Sequence, residues 1–347
     1  MVGVAGVALL GGDVPDPGSA QAPRAAAAVP VERRVHIDGA VGVSIGGTVT
    51  MPTSVGAGGG VAGVVIIPGF GPTNRDGKVG PGGAADTFYL DLSRTLVDSG
   101  MATLRYDKRG TGQSVLPPDR PLTFDDMVAD AGAAVAFLAE RAEVDPQRIA
   151  VVGHEEGGLV ALQLAADDPR VASLALVSVP GRPFLQVLTD DFNNSGHGDQ
   201  VPALQGVVGG LLAGEPLPDP ATISSGVRDF FPVTRQEYLI DIFSLDPVVL
   251  AGQVDVPVLV VRGDAATGIS AADADALVGA LGPETEVVVA PDAGPTLVVA
   301  DSPAGAAASS GSTSGEHEHD QAPAAPVPER DEGAMARIDD FIIATAA

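Results

Sequence analysis

Arg148-Ile149-Ala150-Val151-Val152-Gly153-His154-Glu155-Glu156-Gly157-Gly158, followed by Leu159-Val160-Ala161-Leu162-Gln163-Leu164-Ala165-Ala166, decides the fold. The β-branched run reads as a buried strand and the second segment as a helix. Glycines stand two residues before and two after Glu155. This is the strand-turn-helix frame G-x-S-x-G, in which small flanking residues permit a strained turn that lifts one side chain above a sheet. Here the lifted residue is Glu155 and not serine, and the functional expectations turn on that exchange.

Outward from the turn, strand-like and helix-like segments alternate. Val31 to Asp38 and Val43 to Met51 alternate apolar and polar residues and read as two antiparallel strands. Ala62 to Ile67 is continuously apolar, as expected of a central strand buried on both faces. A Gly/Pro loop from Pro68 to Gly83 leads to a helix over Ala84 to Ser99, stopped by Gly100. Ala102 to Tyr106 reads as the next strand. Thr123-Phe124-Asp125-Asp126 has capping-box character and opens a helix through Ala142, which Asp145-Pro146 is expected to close. Val171 to Val179, Val256 to Val261 and Glu284 to Ala290 read as further strands, with a helix over Ala271 to Leu281. The rhythm predicts an α/β fold: a mostly parallel, doubly wound sheet with helices on both faces. Residues 182–252 break that rhythm and carry the aromatics Phe230, Phe231, Tyr238 and Phe243, so they read as an inserted helical cap. The expected division is a signal-like or disordered leader over 1–30, core over 31–181, cap over 182–252, core over 253–301, a disordered excursion over 302–333 and a closing core helix over 334–347.

Composition narrows the classes of function. The chain has 347 residues, 45 acidic against 19 basic, and a formal net charge of -26. Nucleic acid and anionic membranes would be repelled. Cysteine is absent, which excludes disulfides, thiolate metal sites and a cysteine nucleophile. The apolar stretch Val2 to Leu10 is too short to span a bilayer, and small-residue sites such as Ala20-Gln21-Ala22 follow it. It reads as the core of a secretory signal lacking its basic front, with a disordered leader of a cytoplasmic protein as the alternative. There is no dinucleotide glycine pattern, P-loop or zinc-protease motif, so neither cofactor nor metal is expected.

Four landmarks, in order and at fitting spacing, make Val64 to Val298 resemble the α/β-hydrolase superfamily, and within it the bacterial capped serine esterase and aminopeptidase-like branch. They are Pro68-Gly69-Phe70-Gly71 with Asn74-Arg75-Asp76-Gly77, Leu104-Arg105-Tyr106-Asp107-Lys108-Arg109-Gly110 through Ser114, the elbow Gly153 to Gly158, and Pro257 through Asp264. The resemblance implies an α/β-hydrolase fold and a chemistry of three side chains: a serine that attacks, a histidine that takes its proton, and an acid that orients the histidine. By resemblance those positions fall on Glu155, Pro295 and Ala266. None of the three is expected to be catalytically competent. The oxyanion hole, built from the backbone N–H groups of Phe70 and Glu156 by resemblance, is expected to persist, with the ionised Glu155 carboxylate swinging in to plug it.

Substitutes for the missing base are few. His36 reads as a surface or packing residue, and His154 as packing with its ring turned from the pocket. His197 reads as a cap-loop residue, and His317 and His319 as part of the excursion. Asp264 is expected to cap its loop, and Asp107 to pair with Arg109. Haloalkane dehalogenases and epoxide hydrolases do place a carboxylate at the elbow, but it is aspartate, and release of the ester intermediate needs a histidine. The preferred expectation is a hydrolase fold without hydrolase turnover, binding a small apolar or carboxyl-bearing ligand. The alternatives are an ester, thioester or peptide hydrolase working through Glu155 or a displaced base, and a scaffold without ligand. The oligomeric state is not readable.

Overall fold

The computed structural model describes residues 30–53, 60–77, 86–118, 120–228, 231, 235–299 and 329–346. The leader over 1–29, Phe230, His317, His319 and most of the 302–333 stretch lie outside the described residues.

Eight strands form one sheet: β1 (Val31–Asp38), β2 (Ser44–Met51), β3 (Val61–Ile67), β4 (Ala102–Tyr106), β5 (Val144–His154), β6 (Val171–Val177), β7 (Val258–Gly263) and β8 (Glu286–Ala290). Their order is β1-β2-β4-β3-β5-β6-β7-β8. The β1-β2 and β2-β4 pairs are antiparallel and every later pair is parallel. Side chains alternate across the sheet, so the central parallel strands β3, β5 and β6 feed two cores. Val65, Ile67, Leu104, Val151, Leu174 and Leu176 join the core on one face, under α2 (Phe124–Ala139) and α3 (Glu156–Asp167). Val64, Ile66, Ala150, Val152, Ala175 and Val177 join the other, under α1 (Phe88–Asp98) and a closing helix. Burial on both faces explains why these strands read as unbroken apolar runs.

Capping sets several of the boundaries. The Thr123 hydroxyl accepts from Asp126 N–H and the Asp126 carboxylate from Thr123 N–H, the capping box expected from the sequence. That helix ends at Ala139, and Asp145-Pro146 lies in the irregular first part of β5 and does not close it. Proline is tolerated there because ordered pairing with β3 resumes only at Ile149. The closing helix begins at Glu332, where Asp331 accepts from Ala334 N–H at 2.6 Å. Just before it, Arg330 is buried and pairs with Asp86 and Asp91. Within the described end of the 302–333 stretch, Arg330 is therefore built into the fold.

Between β6 and β7 lie α4 (Phe184–Asn194), α5 (Val201–Leu212), α6 (Ser225–Arg228), α7 (Gln236–Ser244) and α8 (Pro247–Ala251); α4 and α7 share a cavity with Glu155, at the carboxyl end of β5. After β7 come α9 (Ala271–Leu281), β8 and the closing helix α10 (Glu332–Thr345). Arg182, at the root of this insertion, pairs with Asp273 and Asp190, and those carboxylates hold its guanidinium pKa above the usual value.

Candidate functional site

The turn after β5 has the geometry its glycines imply. Glu155 adopts φ 47° and ψ -116°, a strained conformation for a residue with a side chain. A Cβ on Gly153 would meet the Gly157 carbonyl oxygen at 2.5 Å, and one on Gly157 would meet the Ile67 carbonyl oxygen at 2.4 Å. Helix α3 can start this close to β3 and β5 only without those carbons. Because the opposing atoms at position 157 are backbone, Gly157→Ala is expected to cost about 2–3 kcal/mol and to lower Tm by about 4–8 °C, as read by thermal melting. An unchanged melt would contradict this packing.

The Glu155 carboxylate does not project freely. Phe70 N–H donates to Glu155 Oε2 at 3.1 Å, so the elbow side chain occupies a donor assigned to the oxyanion hole by resemblance. The second donor assigned there is Glu156 N–H, which opens α3 and has no acceptor within the helix. The Phe70 ring stacks on Phe184 of the cap with centroids 4.4 Å apart. The loop bearing Phe70 is anchored below by Arg75. Its guanidinium grips Asp107 (Nε to Oδ1 3.1 Å, Nη2 to Oδ2 2.5 Å), and it also donates to Gly47 O and to Thr48 Oγ1. The expected Asp107–Arg109 pair does not form. Asp107 belongs to Arg75, while Arg109 turns to Asp130 and Asp126.

Ala266 and Pro295 contribute no titratable group. Pro295 lines the same cavity as Glu155, and its carbonyl oxygen accepts from Ser178 Oγ at 2.8 Å and faces His154 Nε2 at 3.1 Å. Ala266 packs against the core beside the cap. Asp264 is not seen capping its own loop: its carboxylate accepts from Asp292 N–H at 2.6 Å, in the loop after β8. His36 lies beside Ser44, and His197 bonds Ser195 and meets the edge of Phe192. Among the described residues, no group of three His, Cys, Asp or Glu could hold a metal ion, and no helix is long and apolar enough to cross a membrane.

Among the described residues, His154 is the imidazole nearest to Glu155. Its Nδ1 stands 4.0 Å from Glu155 Oε2, beyond hydrogen-bond reach. Both ring nitrogens have other partners: Nδ1 meets Tyr89 OH at 2.9 Å, and Nε2 meets Pro295 O. Pro295 O only accepts and Tyr89 OH already accepts from Gly69 N–H at 2.7 Å. In the neutral ring this network places the proton on Nε2 and lets Tyr89 donate to Nδ1.

Below the hole lies a second network that the sequence did not reveal. Glu156 is 1% exposed, and its Oε2 meets Lys108 Nζ at 2.9 Å. Lys108 also donates to Gly69 O, and Tyr238 OH of α7 donates to Glu156 Oε1. The floor of the hole and the cap are thus joined through one buried carboxylate.

The chain's three tyrosines, Tyr89, Tyr106 and Tyr238, are all buried. Burial, reinforced by carboxylates including Glu156, pushes each phenol above its usual pKa. Below about pH 10 both folded and unfolded chains keep these protons, and the associated stability is fully present. Above it the unfolded chain ionises first, so stability falls as pH rises toward the folded values. The slope is expected to approach about 1.4 kcal/mol per pH unit per tyrosine only above about pH 11, measured by urea unfolding between about pH 9 and about pH 12. Tyr238→Phe is expected to remove one share of it; an unaltered slope would contradict the burial.

Above the elbow is a cavity of about 660 Å³. Phe70, Phe184, Leu188, Leu239, Ile242 and Ile269 give it apolar walls; Glu155, Arg235 and Tyr238 bring polar groups to them. With Phe70 N–H engaged by Glu155 Oε2, the chamber can take a polar head that displaces the carboxylate from that donor, or use the carboxylate to move a proton.

Comparison with known proteins agrees with this geometry. The family model for serine aminopeptidases, S33, matches residues 83–193. The putative carbamate hydrolase RutD of Variovorax paradoxus (strain S110) is 41% identical over 105 residues, 30% of this chain and 37% of RutD. The quorum-quenching protein AidA of Acinetobacter baumannii (strain MDR-ZJ06) is 28% identical over 154 residues, 42% of this chain and 48% of AidA. The chain spans less than half the length of either relative. Among solved structures, Est1E from Butyrivibrio proteoclasticus superposes with a TM-score of 0.55 at 15% identity, covering 90% of this chain and 98% of Est1E. The chain has an α/β-hydrolase fold, and residues 83–193 of it match the serine aminopeptidase family model.

Proposed function

We propose that this protein uses the α/β-hydrolase fold to bind a small apolar or carboxyl-bearing ligand in the chamber above Glu155, without turning over esters by the serine route. The observation that carries this reading is the bond from Phe70 N–H to Glu155 Oε2, which fills with the protein's own carboxylate a donor that an acyl oxygen would need. The residues at the base and acid positions support it, since Pro295 and Ala266 transfer no proton. The apolar walls suit a hydrocarbon body, and Arg235 suits a carboxylate on it. Thermal-shift titration with medium-chain fatty acids tests the binding: a rise in Tm that Arg235→Ala diminishes is expected, and no shift with any chain length would overturn it.

A second reading has two observations in its favour. Relatives of this chain carry names such as carbamate hydrolase and thiohydrolase, and His154 Nδ1 lies 4.0 Å from Glu155 Oε2. In that reading a shift of His154 toward Glu155 would supply the base for hydrolysis of an ester or thioester. It would have to break the bond to Tyr89 or to Pro295 O first.

A further inference from the structure

We infer that Glu155 and the backbone donors around it form a proton-transfer site for enolisable ketones. This goes beyond the binding reading and shares with it only the chamber. An oxyanion hole is a pair of N–H donors fixed in place before the reaction. Its donors recognise negative charge developing on a carbonyl oxygen, whether that charge comes from attack at the carbonyl carbon or from removal of a proton next to it. Attack needs a nucleophile, a base and a proton for the leaving group. Enolisation needs one base, which takes the proton and gives it back.

Glu155 is placed for that single role. Its Oε2 sits 3.1 Å from Phe70 N, at the spot a substrate carbonyl oxygen would take. A carbonyl entering there displaces the carboxylate by about the width of one oxygen atom, which leaves it beside the carbon next to the carbonyl. No bulk stands behind it on the Gly69 side: a Cβ at that position would meet Glu155 Oε2 at 2.5 Å, so glycine keeps the carboxylate's place open. The side chain is 24% exposed and lines the chamber, whose apolar walls limit the water that would otherwise solvate it. Neither Pro295 nor Ala266 hinders this chemistry, since nothing at those positions is required.

The step balances within the site. Glu155 takes a hydrogen from the carbon between a carbonyl and an alkene as a proton. The C–H electron pair becomes a new C=C bond, and the carbonyl π pair moves onto oxygen, held by Phe70 N–H and Glu156 N–H. The protonated Glu155 then returns its proton at the far alkene carbon, and the product is the conjugated ketone. No oxidant, metal or water is consumed. The substrate class is an apolar β,γ-unsaturated ketone.

The test follows the rise of conjugated-enone absorbance with the β,γ-isomer of cyclohexenone and with a β,γ-unsaturated steroid ketone, one small and one large. Wild-type protein is expected to isomerise at least one of them about 10²-fold or more faster than acetate at the same carboxylate concentration. Glu155→Gln, which keeps the shape and can still accept from Phe70 N–H, is expected to lose that acceleration while melting at an unchanged temperature. Rates no greater than acetate for both ketones, in protein that melts cooperatively, would overturn the inference. So would an acceleration that Glu155→Gln leaves intact. Ester cleavage assayed on the same preparations separates the two proposals: cleavage abolished by Glu155→Ala overturns the reading without turnover and leaves the ketone result to stand or fall alone.

Discussion

Glu156→Ala is expected to destabilise the protein by about 3–5 kcal/mol, the largest loss expected of any single substitution near the site. The glutamate is 1% exposed and faces two donors, Lys108 Nζ and Tyr238 OH. Truncation leaves the Lys108 ammonium buried, with the Gly69 carbonyl as its remaining named partner, and leaves a buried phenol without an acceptor. The cost comes from the uncompensated charge more than from the pair's own attraction. Replacing both ends with apolar residues of similar volume, Lys108→Met with Glu156→Leu, should therefore lose far less than Glu156→Ala alone. Urea unfolding of the three proteins checks this. A loss below about 1 kcal/mol for Glu156→Ala would show that water reaches Lys108 and that the network does not hold the floor of the hole.

The second large effect concerns turnover. Glu155→Ser alone is expected to cleave p-nitrophenyl acetate no faster than the parent, because the hydroxyl would have no base within reach. His154 cannot serve while Tyr89 and Pro295 O engage its two nitrogens. The triple change Glu155→Ser, Ala266→Asp, Pro295→His is expected to exceed Glu155→Ser by on the order of 10²–10³-fold. That is part of the 10⁴–10⁶ that loss of triad members typically removes. The structure favours the attempt at position 295, which shares a chamber with position 155. The backbone carbonyl there remains to receive Ser178 and His154 after the exchange. A folded triple variant with no gain would place the divergence in the chamber as well as in the triad.

What could be read from the sequence follows the range of the forces involved. The strand and helix order was legible because burial on both faces writes continuous apolar runs at β3, β5 and β6. The elbow was legible because its glycines are demanded by backbone approaching backbone within a few residues. The contact between Phe70 and Glu155 could be anticipated because a landmark resemblance put both at one place. The Lys108–Glu156–Tyr238 network could not, since its members come from the end of β4, the start of α3 and the cap. No local pattern records such a meeting. The Asp107–Arg109 expectation failed for the same reason. Proximity in sequence suggested a pair, while the strand end turned Asp107 toward Arg75 and Arg109 toward α2. Nothing in the local sequence singles out Tyr89, although its hydroxyl ties His154 and Gly69 together.

The proposed function rests on the Glu155 carboxylate holding the Phe70 N–H donor at the elbow. The most direct test is p-nitrophenyl ester cleavage by the purified chain beside Glu155→Ala, with intact mass measured after incubation. The account predicts no enzymatic turnover in either protein and no covalent adduct. Turnover that disappears with Glu155→Ala, or an acyl group found on Glu155, would contradict it.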